Sequence, residues 1–153
     1  MPFDHDGPLV QLDDAECRRL LATARLGRLG FTDGALPAIV PVAVAVHDGS
    51  AFIPTPRDGS LMSAVRGAVV ALQVDSYRDA IGTGWTVTAV GPARVLRHPD
   101  TVAEIDALGL FAPDGADPRG YVALQLALLR GWRTGSDPVL HGTSAAAAQT
   151  TQG

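Results

Sequence analysis

The sequence predicts a mainly β fold, a closed antiparallel barrel with a few short helices, on three observations. Two extended stretches stand out, Val69 to Val74 and the alternating run Trp85 to Leu96, with shorter β-branched stretches before them. The dipeptides Asp33-Gly34 and Asp48-Gly49 punctuate the chain as hairpin turns. Only two or three segments carry helical patterning, and barrel closure removes the edges that so many strands would otherwise expose. A β-sandwich satisfies this pattern nearly as well.

The elements follow in order. Leu12 to Ala24 reads as a helix, with an Asp of the Asp13-Asp14 pair to cap it and Glu16 in its first turn to complement the dipole. Leu20, Leu21 and Ala24 share a face with Cys17, and Gly27 closes the helical pattern. Leu29 and Phe31 alternate up to the Asp33-Gly34 turn. Leu36 to Val46 is β-branched and alanine-rich, and its Pro37 and Pro41 indicate an edge strand or a bulge. Ala51 to Ile53 begins the returning strand, and Ser60 is placed to cap a short helix through Leu61, Met62 and Val65. After the Val69 and Trp85 strands, Asp100 to Leu108 gives another capped amphipathic helix, and Tyr121 to Leu129 reads as the last strand.

A chain of 153 residues suits one compact domain, read here as 1–133, while the small and polar residues of 134–153 form a tail expected to be flexible unless a partner subunit holds it. The composition, 46% apolar and 18% charged, is that of an ordinary globular protein with no run long enough to span a membrane. The start, Met1 to Asp6, lacks the pattern of a secretory signal, so a cytoplasmic location and no membrane partner are expected. The formal charge of -4, without a dense arginine stretch, argues against nucleic acid as a partner. All 12 basic side chains are arginines, which excludes Schiff-base lysine chemistry and a Walker-type lysine. Cys17 stands alone and reads as a buried structural thiol. His5, His47, His98 and His141 show no metal-ligand spacing, and no Ser/His/Asp order or carboxylate pair marks a catalytic group.

Leu26 to Phe31, Leu36 to Val42 and the run Gly84-Trp85-Thr86-Val87 together resemble the pyridoxamine 5'-phosphate oxidase-like, FMN-binding split-barrel family over roughly Leu12 to Arg133. The resemblance implies a homodimer with FMN at its seam and a small-molecule substrate. In such proteins the flavin phosphate is held by a strand arginine and a lysine in the turn that opens a helix. Alignment on Ala64 to Val70 puts Pro54 and Ser60 at those two positions, so both cations are missing. Because charge-assisted bonds are about twice as strong as neutral ones, this weakens the phosphate anchor. Thr55, Arg57, Ser60 with the adjoining Leu61, and backbone N–H groups at the helix start are the candidates to compensate. Arg57 reads either as a relocated phosphate ligand or as a solvated loop arginine.

The same resemblance implies that Pro41, Val42 and Ala43 line the flavin ring, and that Trp85 and Thr86 match the family's Gly-Trp-Ser-Val motif, with Thr in place of Ser. Ala43 and Val44 replace a pair that is often polar or aromatic, giving either an apolar pocket wall or plain core. Arg133, beside Trp132, matches a terminal arginine that can contact an anionic substrate. Two functions follow as expectations. One is an FMN-binding oxidoreductase acting on a small organic substrate. The other is a flavin-free member whose apolar groove binds or converts a hydrophobic molecule without redox chemistry. Deazaflavin and heme are further cofactor alternatives.

Overall fold

The structure, a computed structural model, describes residues 9–78, 82–113 and 119–134. Its elements are β1 (Val10–Gln11), α1 (Asp14–Thr23), β2 (Leu26–Asp33), β3 (Leu36–Ala43), β4 (Ala45–His47), β5 (Ser50–Pro56), α2 (Ser60–Val65), β6 (Val69–Arg78), β7 (Thr83–Leu96), α3 (Pro99–Ala107), β8 (Arg119–Gln125) and β9 (Leu128–Thr134). Antiparallel ladders join the strands along the path β3-β2-β6-β7-β8-β5-β4, and β9 adds to β7 and carries β1. The strands at the two ends of the path, β3 and β4, are consecutive in the chain and adjoin at Val44. The sheet therefore curls on itself, and the Val44 N–H donates to the Arg25 carbonyl at 3.1 Å where the ends come together. One core fills the inside, with Leu29, Leu72 and Val87 from one half and Ile53, Val122 and Leu124 from the other. This is the expected split barrel and not a sandwich.

Strand β7 links the halves. Its Gly84–Val90 stretch pairs with β9 and its Ala93–Leu96 stretch with β8, while its other edge pairs with β6 throughout Thr83–Pro92. Gly91 and Pro92 mark the change of partner, and a proline there has no N–H to leave unpaired.

Several local expectations hold. Asp13 caps α1 by accepting the Glu16 N–H at 2.8 Å, and Cys17, Leu20 and Leu21 are its buried face. At the β4–β5 turn, Asp48 and Gly49 take positive φ values of 48° and 74°, as an Asp-Gly hairpin requires. Strand β3, with its two prolines, is an edge strand bonded only to β2.

Other expectations are corrected. The run Leu36 to Val46 is two strands, because the chain turns inward at Val44 to close the barrel. The last strand, read as Tyr121 to Leu129, is also two: Leu126 donates its N–H to Gly49 and leaves the ladder, after which β9 joins the other half of β7. Gly27 does not stop a helix. It lies inside β2, where a Cβ would come within 2.9 Å of the Gln73 carbonyl oxygen. Ser60 is the first residue of α2, whose cap is Gly59 with no side-chain bond. The third helix starts one residue early, with Pro99 at its first position and His98 accepting the Asp100 N–H through Nδ1 at 3.3 Å. Of the expected tail, Thr134 closes β9, and 135–153 lie outside the described residues.

Candidate functional site

Along β5 the side chains of Ala51, Ile53 and Thr55 point into the barrel. Thr55 is the buried polar residue among the described residues, and it stands opposite Gly120 of β8. A Cβ on Gly120 would lie 2.5 Å from the Met62 Cε, 2.8 Å from the Leu96 carbonyl oxygen and 3.7 Å from the Arg57 Cα. A glycine lets α2 and the end of β7 come this close, with the loop Pro56 to Gly59 in ordinary contact beside them. The loop carries Arg57 and Asp58, and the end of β7 carries Arg97.

Three arginines meet this end of the barrel in different states. Arg119 is satisfied: Nε donates to Asp106 at 3.2 Å, Nη1 donates to the Ala112 carbonyl at 3.2 Å, and the guanidinium lies 5.6 Å from the Tyr121 ring centre. Arg97 is half engaged, with Nη2 on Asp58 at 2.5 Å and a buried Nε that has no acceptor among the described residues. The Nε of Arg57 is likewise buried without an acceptor. A buried donor left unpaired costs about 1–3 kcal/mol, so each of these two nitrogens calls for an acceptor beyond the described residues. Ser60 is exposed beside them, Leu61 packs partly into the core, and Pro54 lies on the opposite face of β5 from Thr55, across from Tyr121.

The β3 candidates divide between two faces. Val42 is buried in the core, as is Val44 beyond it, whereas Pro41 and Ala43 are exposed on the outer surface of the sheet. Any contact of Val42 with a ligand is therefore through its backbone. The apolar Val44 is plain core.

Trp85 and Thr86 also point opposite ways, as successive strand residues must. Trp85 packs against the core and is the register partner of Arg133 on β9. Thr86 lies on the outer face with Asp75 and Trp132 as register partners, and its hydroxyl is 3.4 Å from the Val74 carbonyl. Arg133 is paired within the chain: its Nη2 donates to Glu16 at 2.8 Å, and the same carboxylate oxygen accepts from Arg19 at 2.9 Å. The hydrogen bond from Arg19, followed by the charge of that residue and the contact with Arg133, holds the Glu16 carboxyl below its ordinary range.

The structure thus brings together Thr55, Arg57, Ser60 and Leu61 at one end, Trp85 with Arg133 beside α1, and Pro41, Ala43 and Thr86 on the outer face. The sequence reading missed Arg97 and Asp58. They are about 40 residues apart in the chain, and only the β7–β8–β5 register joins them. Among the described residues no group of three or more His, Cys, Asp and Glu is placed to hold a metal ion, and no helix is long and apolar enough to cross a membrane.

A family model described as pyridoxamine 5'-phosphate oxidase matches residues 13–128. An uncharacterized protein of Mycobacterium tuberculosis is 39% identical over 105 residues, which are 65% of this chain and 69% of the relative. The solved FAD binding protein of Mycobacterium smegmatis is 25% identical with a TM-score of 0.68, covering 82% of this chain and 98% of its own. The FAD and heme binding protein of the same organism shares the fold at 14% identity and a TM-score of 0.66, covering 88% of this chain and 80% of its own.

Proposed function

The chain belongs to the pyridoxamine 5'-phosphate oxidase family, and from that premise we propose that it binds a flavin nucleotide, FMN or FAD, at the seam of a homodimer and acts as an oxidoreductase on a small organic substrate. The observation that carries this reading is the Nε of Arg57, buried without an acceptor among the described residues in the loop between Thr55 and Ser60, where the resemblance puts the flavin phosphate. The likeness to a protein named for FAD binding supports the same cofactor class. FAD contains the FMN phosphate, so one anchor serves either nucleotide.

A bound flavin supplies hydride or electron exchange at its ring, and no acid or base of the chain is needed for that step. The chain's own residues bind, orient and exclude water. Arg57 and the Ser60 hydroxyl offer donors to the phosphate, the β3 backbone around Val42 flanks the ring, and Thr86 offers a hydroxyl from the outer face. Trp85 acts indirectly, by fixing β7 against the core. Arg133 reaches an anionic substrate only by leaving Glu16.

The dimer is supported by the outer face of the β3-β2-β6-β7-β9 sheet. Register places Ile39, Gly30, Ala71, Val90 and Leu128 in one row across five strands, without a polar side chain. Ile39 is 74% exposed and Leu128 56%, with Val69 at 67% two residues from Ala71 on the same strand. A contiguous apolar surface of this kind marks an association site.

The visible absorbance of the isolated protein, before and after adding FMN or FAD, tests the proposal. Flavin bands that stay with the protein through gel filtration are expected. Failure to take up either nucleotide overturns it, and favours the flavin-free reading that the uncharged Pro54 and Ser60 motivate. A heme or deazaflavin occupant is separated by its own spectrum.

A further inference from the structure

We propose that Arg97 is the second arm of an anion clamp with Arg57, and that the clamp takes a phosphoryl group; the assignment of that group to the flavin rests on the function proposed above. The two side chains come from places unrelated in sequence, the β5–α2 loop and the end of β7. The ion pair of Arg97 with Asp58, the residue next to Arg57, brings them together, and Gly120 leaves room for the Leu96 carbonyl, which would lie 2.8 Å from a Cβ there. Each presents a buried Nε without an acceptor among the described residues.

Asp58 explains why Arg97 is poised and not collapsed. Its Oδ1 accepts from Nη2 of Arg97 at 2.5 Å, which orients the guanidinium while leaving Nε unbonded. A carboxylate serving only to neutralise Arg97 would take both nitrogens on one edge, the favoured fork geometry. Arg119 shows what a structural arginine looks like at the same end of the barrel, with acceptors for Nε and Nη1 and a ring to stack on. Two guanidinium groups against one carboxylate leave a net positive charge. The complementary ligand is an anion with several acceptor oxygens, which describes a phosphate or a pyrophosphate. The clamp thereby replaces the two cations missing at Pro54 and Ser60 with Arg57 and with Arg97, the latter at a position no local motif reveals.

The test is calorimetric titration of the full chain with riboflavin, FMN, FAD and inorganic pyrophosphate, in wild type and in Arg57→Gln, Arg97→Gln and, as a charge-matched control, Arg94→Gln on the exposed face of β7. Wild type is expected to bind FMN at least tenfold more tightly than riboflavin. Arg57→Gln and Arg97→Gln should each weaken FMN and FAD about tenfold, in line with the loss of one charged hydrogen bond. Riboflavin affinity should stay unchanged in both, which also shows that the variants are folded, and Arg94→Gln should change nothing. If FMN and riboflavin bind but their ratio is the same in Arg97→Gln as in wild type, the clamp is wrong and the flavin reading survives. Pyrophosphate binding that depends on Arg97, without uptake of any flavin, keeps the clamp and removes the flavin. Binding of none of the four ligands overturns both.

Discussion

On the β4, β5 and β8 side of the barrel the outward side chains of Phe52, Leu96 and Tyr121 lie beneath α3, packed against Val102, Ile105 and Phe111. On the β3, β2, β6 and β9 side the outward row from Ile39 to Leu128 has nothing of this chain over it among the described residues. Strand β7 serves both sides, its late residues under the helix and its early ones on the open face. The difference lies in whether the chain sends a helix back across the sheet. Apolar area removed from water is worth roughly 25 cal/mol per Å² wherever the covering surface comes from. One face obtains its cover internally, and the other leaves its apolar row exposed, which is what the proposed dimer would cover.

Two isoleucines make that comparison measurable. Ile105 is 7% exposed under the covered face and Ile39 is 74% exposed on the open one. Chemical denaturation of Ile105→Ala should show a loss of about 2–5 kcal/mol, the usual range for emptying a buried aliphatic site. Ile39→Ala, measured in protein dilute enough to be monomeric, should stay within about 0.5 kcal/mol of wild type. Equal losses at the two sites would break the comparison.

The open face itself is tested next. Ile39→Arg combined with Leu128→Arg places charges at both ends of the apolar row. Sedimentation equilibrium should then find monomer where wild type sediments as a dimer, with far-UV circular dichroism unchanged. A wild type that is monomeric at every concentration would remove the dimer seam, and with it the composite flavin site.

How much of this was legible in the sequence differs between the fold and the site. The Asp33-Gly34 and Asp48-Gly49 turns, the Asp13 cap and the long β7 pattern could all be read, because each depends on neighbours in the chain. The breaks at Val44 and Leu126 could not, since both residues are as apolar as their surroundings and are set by where the barrel must close. Thr55 and Arg57 were singled out as candidates through local resemblance. The opposite facing of Trp85 and Thr86 follows from the two-residue strand period, yet treating them as one motif concealed it. Arg97 carried no signal at all, because its place in the candidate site comes from its contact with Asp58, about 40 residues away in the chain.

The smallest expected effect concerns what fastens α3 to the covered face. The Tyr121 hydroxyl donates to Oδ1 of Asp106 at 2.5 Å. Burial, reinforced by that hydrogen bond, pushes the phenol up from 10.0 to about 12. A raised folded value means that the contribution is fully present below pH 10 and is lost as pH climbs toward about 12, because the unfolded chain ionises first. Tyr121→Phe should cost about 1 kcal/mol at neutral pH, the net value of one hydrogen bond. It should also flatten the alkaline decline in stability relative to wild type, as read by denaturant titrations on either side of pH 10. Among the described residues the open face has no such fastening, so the Ile39→Arg, Leu128→Arg protein should keep the wild-type alkaline slope. If Tyr121→Phe retained that slope too, the hydroxyl would not be what ties the helix to its sheet, and the cover would be held by apolar packing alone.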